Sequence, residues 1–386
     1  MSSLARFLEP PRLRGGLEEE DRRATWLELF VDLVFVVAVG QVAQELVQDH
    51  SARGFLHFAF LFVPVWWAWV GVTFYADRFD TDDVLFRLLM LAEMLGVAAL
   101  ASTTGDALHG GSEGFALAFV AVRVVLIVAY ARAHRYVPEA RPLTRRYAGG
   151  FTVAVSLWAL SLAVPTPARY AVWALALAVD LVTPLISRRQ IESAPISGSH
   201  IPERIGLFTI IVLGEAVIAV VSGTTDTDWN GRSLVVAAGG FSAAAAIWWL
   251  YFDTLDTSII KRSVAAGQVY LYLHLPLLGG LAAAGAGVEI AIEDAAHGSL
   301  GEGGRWALLG GLGVCLTSMA VIHLAATLAA RERDLWLRIA VAVGAAVLAA
   351  AAPSVFVAIP ILVVLLGGLV ILELGHEEHA PASGPS

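Results

Sequence analysis

R-A-T-W-L-E-L-F-V-D-L-V-F-V-V-A-V-G-Q-V-A-Q-E, from Arg23 to Glu45, is a membrane-length apolar stretch that carries acids inside it. Read as a helix, it places Glu28 and Asp32 on one face, separated by about 40° of rotation. A carboxylate at the centre of a spanning helix costs about 2.5–3.5 kcal/mol on insertion scales, so such a residue points to function by default. Glu28 has a second reading, as an acid held in the interface. Asp32 lies one turn further in.

The composition agrees with the membrane reading. Of 386 residues, 58% are hydrophobic and only 15% charged, and the mean hydropathy is +0.72. Soluble domains carry about 25% charged residues. Eleven Trp suit interfacial belts. The one cysteine, Cys315, excludes an intrachain disulfide and any Cys-based zinc site. A net charge of −9 is no nucleic-acid signature. The partner that composition implies is the lipid bilayer. Neither a P-loop, an H-E-x-x-H zinc motif nor a T-V-G-Y-G filter occurs, and no cofactor or metal is expected.

The sequence predicts an all-α polytopic membrane protein of about 12 transmembrane helices. The expected spans are 27–47, 55–75, 84–104, 114–134, 148–165, 168–187, 204–223, 232–252, 268–288, 305–329, 335–352 and 354–374. Each is able to cross about 30 Å of hydrocarbon. Residues 1–25 read as a cytoplasmic arm, and 375–386 as a cytoplasmic tail. Basic residues concentrate in every second loop, and only Arg53, Arg169 and Arg232 fall in the intervening ones. That asymmetry predicts that both termini are cytoplasmic.

The two halves of the chain are alike. Tyr75, Asp77, Asp80 and Thr81 follow the second span; Tyr251, Asp253, Asp256 and Thr257 follow the eighth, at a constant offset of 176 positions. We therefore expect two parallel six-helix repeats, 26–187 and 203–374, joined by a cytoplasmic linker at 188–202.

Several ionisable residues are candidates for chemistry. The seventh span opens H-I-P-E-R-I-G-L-F-T-I-I-V-L-G-E, with Arg204 and Glu215 near one face. Glu215 is the acid placed deepest by sequence, either a proton or cation site or a helix lock. Arg123 in the fourth span needs a partner from another helix, for which Asp32, Glu93 and Glu215 are candidates. Asp180 precedes Thr183-Pro184, where a kink would turn backbone carbonyls toward an ion. Asp77, Asp80, Asp253 and Asp256 form two D-x-x-D pairs at expected cytoplasmic ends, a cation-attracting mouth or a solvated loop. His57, His274 and His323 are single residues in separate spans and read as polar core contacts.

These motifs resemble a known family. T-W-L-E-L-F-V-D-L-V-F-V-V-A-V (Thr25–Val39), the His200–Glu215 segment and W-W-L-Y-F-D (Trp248–Asp253) look like the bacterial low-temperature-requirement protein A family. The resemblance implies a polytopic inner-membrane protein whose name comes from growth in the cold; it implies no mechanism. A second similarity is to two-repeat, six-helix potassium channels that carry R…F-S-D…F on the first helix of each repeat. Arg23, Phe30, Asp32 and Phe35 match, with Val31 in place of Ser, whereas Phe208 is followed by Thr209-Ile210. That similarity implies that the first helix of each repeat lines a path, with apolar side chains as its constriction.

Three functions follow as expectations. The first is a small-cation channel or secondary transporter, for a monovalent cation or proton, with Glu28, Asp32 and Glu215 on the path and Glu93, Arg123 and Arg204 as charge partners. The second is a stress-associated membrane scaffold or sensor without transport. The third is a lipid-directed membrane enzyme using the D-x-x-D pairs.

Overall fold

A computed structural model describes residues 9–14, 24–226, 231–295, 300–327 and 333–377. Expectations that involve Arg23 and most of the terminal arm and tail fall outside these residues.

The long helices are α1 (Trp26–Gln48), α2 (Ala52–Arg78), α3 (Val84–Ser102), α4 (Ser112–Tyr136), α5 (Arg141–Ser161) and α6 (Ala168–Leu185). A short α7 (Arg188–Ile191) leads to α8 (His200–Asp226) and α9 (Gly231–Thr254). After α10 (Ile259–Arg262) come α11 (Val264–Ala295), α12 (Glu302–Arg305), a π turn at Trp306–Gly310, α13 (Gly311–Thr327), α14 (Arg333–Ala351) and α15 (Val355–Glu377). A two-residue ribbon pairs β1 (Arg12–Leu13) antiparallel with β2 (Phe79–Asp80).

Every expected span coincides with a helix. Eleven helical stretches among the described residues are long and apolar enough to cross a membrane. The twelfth, α5, differs from its expected span of 148–165. It starts earlier, taking Arg141, Arg145 and Arg146 into the helix, and stops before Leu162–Val164. Its composition is diluted accordingly. It still packs along both α4 and α6, and its 21 residues measure about 31 Å at 1.5 Å per residue.

The chain forms two compact units. Of the described residues, the first comprises those within 1–45, 56–211 and 260–268, and the second those within 46–55, 212–259 and 269–386. The first half of α8, through Ile211, thus belongs with α1–α6.

In the first unit arginine contacts hold both sets of helix ends. One end carries the β ribbon, where Arg14 donates to Asp80 Oδ1 at 2.6 Å. Beside it, Asp83 caps α3 by accepting from Phe86 N at 3.0 Å and pairs with Arg132 at 2.6 Å. Arg78 donates to Ala194 O at 3.0 Å and sits 5.7 Å from the Tyr147 ring. At the opposite end Arg169 joins three helix termini. It donates to Ser112 Oγ at 2.6 Å and Ser161 O at 3.1 Å, and pairs with Glu113. Basic residues from separate loops therefore collect on one side of this unit.

The second unit is built on α11, of whose apolar window 83% is buried. Glycine makes that packing feasible. A Cβ on Gly287 would lie 2.2 Å from Leu308 N, and one on Gly280 would lie 2.6 Å from Gly311 O. Backbones meet there at distances that no side chain would permit. Arg338 fixes the other helices: it donates to Glu373 Oε1 at 2.9 Å, Glu373 Oε2 at 2.7 Å and Thr254 Oγ1 at 2.6 Å. This fork joins α14, α15 and α9.

Candidate functional site

The quoted stretch of α1 meets the start of α8 in the first unit. Thr25 and Glu28 form a capping box. Glu28 Oε2 accepts from Thr25 N at 2.7 Å, and Thr25 Oγ1 accepts from Glu28 N at 3.3 Å. Part of the reason for an acid at Glu28 is therefore structural, because it satisfies donors left open at the helix start. Its other oxygen, Oε1, lies 3.5 Å from His200 Nε2.

His200 is fully buried. It opens α8, with Ser197 Oγ accepting from its backbone N at 3.2 Å. Pro202 in that first turn needs no partner for a missing N–H. His200 Nδ1 stands 2.9 Å from Asp77 Oδ1, and Asp77 Oδ2 accepts from Ser197 N at 2.9 Å. One imidazole thus lies between two carboxylates, on α2 and α1.

One turn inward is an ion pair. Arg204 Nη2 donates to Asp32 Oδ1 at 2.7 Å, and Trp69 Nε1 donates to the same oxygen at 2.8 Å. Asp32 and Arg204 are each 1% exposed. The pair sits against an aromatic block. Trp66 and Trp69 stack at 5.0 Å, and the Phe208 ring lies 4.5 Å from Trp69. Phe35 is also fully buried.

The other candidates lie elsewhere. Arg123 pairs with Asp180 rather than with Asp32, Glu93 or Glu215: its Nη2 donates to Asp180 Oδ2 at 2.8 Å. Gly71 makes room, since a Cβ there would meet Arg123 Nη1 at 2.8 Å. The guanidinium also lies 5.1 Å from the Phe151 ring. Glu93 is buried within electrostatic reach of Arg123, and its Oε2 has no hydrogen-bond partner among the described residues. The carbonyl of Pro184 accepts from Gln268 Nε2 at 2.7 Å.

The aspartate pairs are not alike. Asp77 is sealed against His200, whereas Asp80 faces Arg14. Asp253 is exposed, and Asp256 Oδ1 accepts from Ser258 N at 2.8 Å in a local turn. Glu215 is half-buried and has no hydrogen-bond or ion-pair partner among the described residues. His274 is a core contact, 3.0 Å from the Tyr251 hydroxyl.

Sequence reasoning missed His200, because a histidine at a helix start has no partner visible nearby in the chain. It also missed the Arg338–Glu373 pair and a group at the other end of α1. There Glu45 Oε2 lies 3.8 Å from His109 Nδ1, and the His109 ring is 5.6 Å from that of His57. The H-I-P-E-R run was the available signal for His200.

Fold and site together define an all-α, multi-pass membrane protein whose helices carry buried, mutually paired ionisable side chains. The family model for the bacterial low temperature requirement A protein matches residues 23–370. The chain belongs to that family. It is also similar to the uncharacterized protein RA0937 of Rhizobium meliloti (strain 1021), with 30% identity over 281 residues and 68% of each chain covered.

Proposed function

We propose that this protein is a proton-coupled secondary transporter for a small monovalent cation in the bacterial inner membrane, with both termini in the cytoplasm. The observation that carries the reading is the imidazole of His200, buried between Asp77 at 2.9 Å and Glu28 at 3.5 Å. Carboxylate–imidazole–carboxylate is a row of the side-chain types that proton relays use. It lies at the end of the first unit where the basic residues collect, the cytoplasmic end under the positive-inside rule. Asp32 and Arg204 continue it inward along α1 and α8. Glu215 follows eleven residues after Arg204 in the sequence. The aromatic block beside Asp32 favours a gated carrier over an open pore, because closely packed rings leave an ion no path.

The test is flux in proteoliposomes of purified protein under potassium, sodium and proton gradients. Asp32→Asn, His200→Gln and Glu215→Gln serve as comparisons, with folding checked by gel filtration. Gradient-driven flux in the native protein, lost in these variants, supports the reading. Absence of flux in every gradient from folded protein overturns it.

One observation favours a second reading, a non-transporting membrane scaffold. The Arg123–Asp180 and Arg338–Glu373 pairs are fully buried and join helices, as structural locks would. A lipid-directed enzyme draws less support, since Asp77 and Asp80 face different partners.

A further inference from the structure

Arg123 is a single charge that acts on two buried acids. Its guanidinium donates to Asp180 Oδ2 through Nε at 3.1 Å and Nη2 at 2.8 Å, and through Nη1 to the carbonyl of Trp67 at 3.4 Å. Each of its nitrogens is thus bonded on α6 or α2. Glu93, on α3, lies within reach of the same charge, and among the described residues no other charge acts on it or on Asp180. Close packing of α3 on α4 places it there. A Cβ on Gly96, three residues after Glu93, would lie 2.9 Å from Val122 Cγ2, and Val122 immediately precedes Arg123.

The charges do not balance if both acids ionise. Arg123 and Glu93 are each 1% exposed and Asp180 is fully buried, so two carboxylates and one guanidinium would leave one negative charge over in an apolar bundle. Asp180 receives two charge-assisted hydrogen bonds, which makes it the ionised acid. Glu93 Oε2 receives none among the described residues, and the buried α3 residues one turn to either side, Met90 and Val97, are apolar. A buried carboxylate in such a place is neutralised rather than left bare. A further base does not do it: α2 presents the Trp67 carbonyl, and α5 the Phe151 ring, 5.1 Å from the guanidinium. A metal cation needs several oxygen ligands, and no group of three His, Cys, Asp or Glu suited to a metal occurs among the described residues. A proton needs neither a ligand shell nor a cavity.

We infer that Arg123, Asp180 and Glu93 form a proton-binding site of their own, in which the guanidinium keeps Asp180 ionised and Glu93 carries the proton. The site holds one proton for two carboxylates. While Arg123 is bonded to Asp180, the O–H is on Glu93. A guanidinium turned to Glu93 would release that proton and leave Asp180 to take one up, so the total charge is unchanged. The site does not depend on the transport reading; a part for it in proton coupling does.

The test is infrared difference spectroscopy of the full chain in lipid at neutral pH, reading the C=O stretch of protonated carboxylic acids. Native protein minus Glu93→Gln should show one carboxylic acid, and Glu93→Asp should restore a band. Absence of that band, with Glu93→Gln folded as the native protein is, overturns the proposal whether or not other variants fold. Asp180→Asn removes the competing charge and frees Arg123 for Glu93. The Glu93 band, read against the same variant with Glu93→Gln added, should then be lost. Its persistence would show that burial alone keeps Glu93 neutral, and would overturn the shared site. Proton-gradient flux separates the two readings. If the band is present but native protein shows no flux, the site stands and the transport reading falls. A pH profile of flux that moves in Glu93→Gln and returns in Glu93→Asp assigns the site to coupling; a profile unmoved by Glu93→Gln removes that role.

Discussion

Arg204 and Asp32 stand 172 positions apart in the chain and 2.7 Å apart in the folded protein. The pair ties the start of α8 to α1 inside an apolar bundle, where a single charge left over is costly. Asp32→Ala should therefore destabilise the protein by about 3–5 kcal/mol, the range for breaking a buried pair. Asp32→Asn should cost less, since its carbonyl oxygen still accepts from Trp69 and Arg204. Thermal unfolding in detergent measures both, and equal melting temperatures would contradict the pairing.

Arg123, Asp180 and Glu93 make a second case. Arg123 donates to Asp180 through two nitrogens, Nε at 3.1 Å and Nη2 at 2.8 Å. Asp180→Ala should again cost about 3–5 kcal/mol. Glu93→Gln should be nearly silent in stability, because Arg123 is already committed and Gln has the same shape. Parallel melting curves decide between them. A larger loss in the Glu93 variant would show that Arg123 is held by Glu93 instead.

The D-x-x-D aspartates should respond unequally. Asp77 is buried and accepts from His200 and Ser197, whereas Asp253 is exposed. Asp77→Ala should lower stability by about 1–3 kcal/mol or more, the cost of orphaned buried donors. Asp253→Ala should fall within about 0.5 kcal/mol of native, as surface changes do. Limited proteolysis across a temperature series would report both.

Helix contact in the second unit should fail at glycine. Gly287→Ala places a methyl group 2.2 Å from Leu308 N, a contact that only backbone movement relieves. We expect a loss of about 1–3 kcal/mol or more, the range for overpacking. Gly214→Ala, which meets nothing within 4 Å, is the matched control. A native melting temperature in the Gly287 variant would rule out the close approach of α11.

Much of the fold was legible in the chain. Twelve apolar runs became twelve helices because membrane-length hydrophobicity is a local property, counted residue by residue. The exception, α5, shows the limit. Its boundaries depend on where hydrogen bonding ends, and Arg141, Arg145 and Arg146 lie inside a helix that the apolar run alone would start later. Arg204 and Asp32 were also conspicuous as charges in apolar helices, and both are buried in the structure.

Which charge meets which was not. Arg123 had three acids as candidates, and the structure joined it to Asp180 on α6. Glu373 and Arg338 lie 35 positions apart, and only packing brought them together. The matching D-x-x-D motifs look equivalent as strings, yet one aspartate is sealed beside a histidine and its counterpart is exposed. Sequence by itself determined that this is a membrane protein of many helices, because lipid imposes length and polarity on each helix separately. Tertiary structure alone decided the partners of the buried charges, because ion pairing falls off within a few ångströms and depends on which helix faces touch.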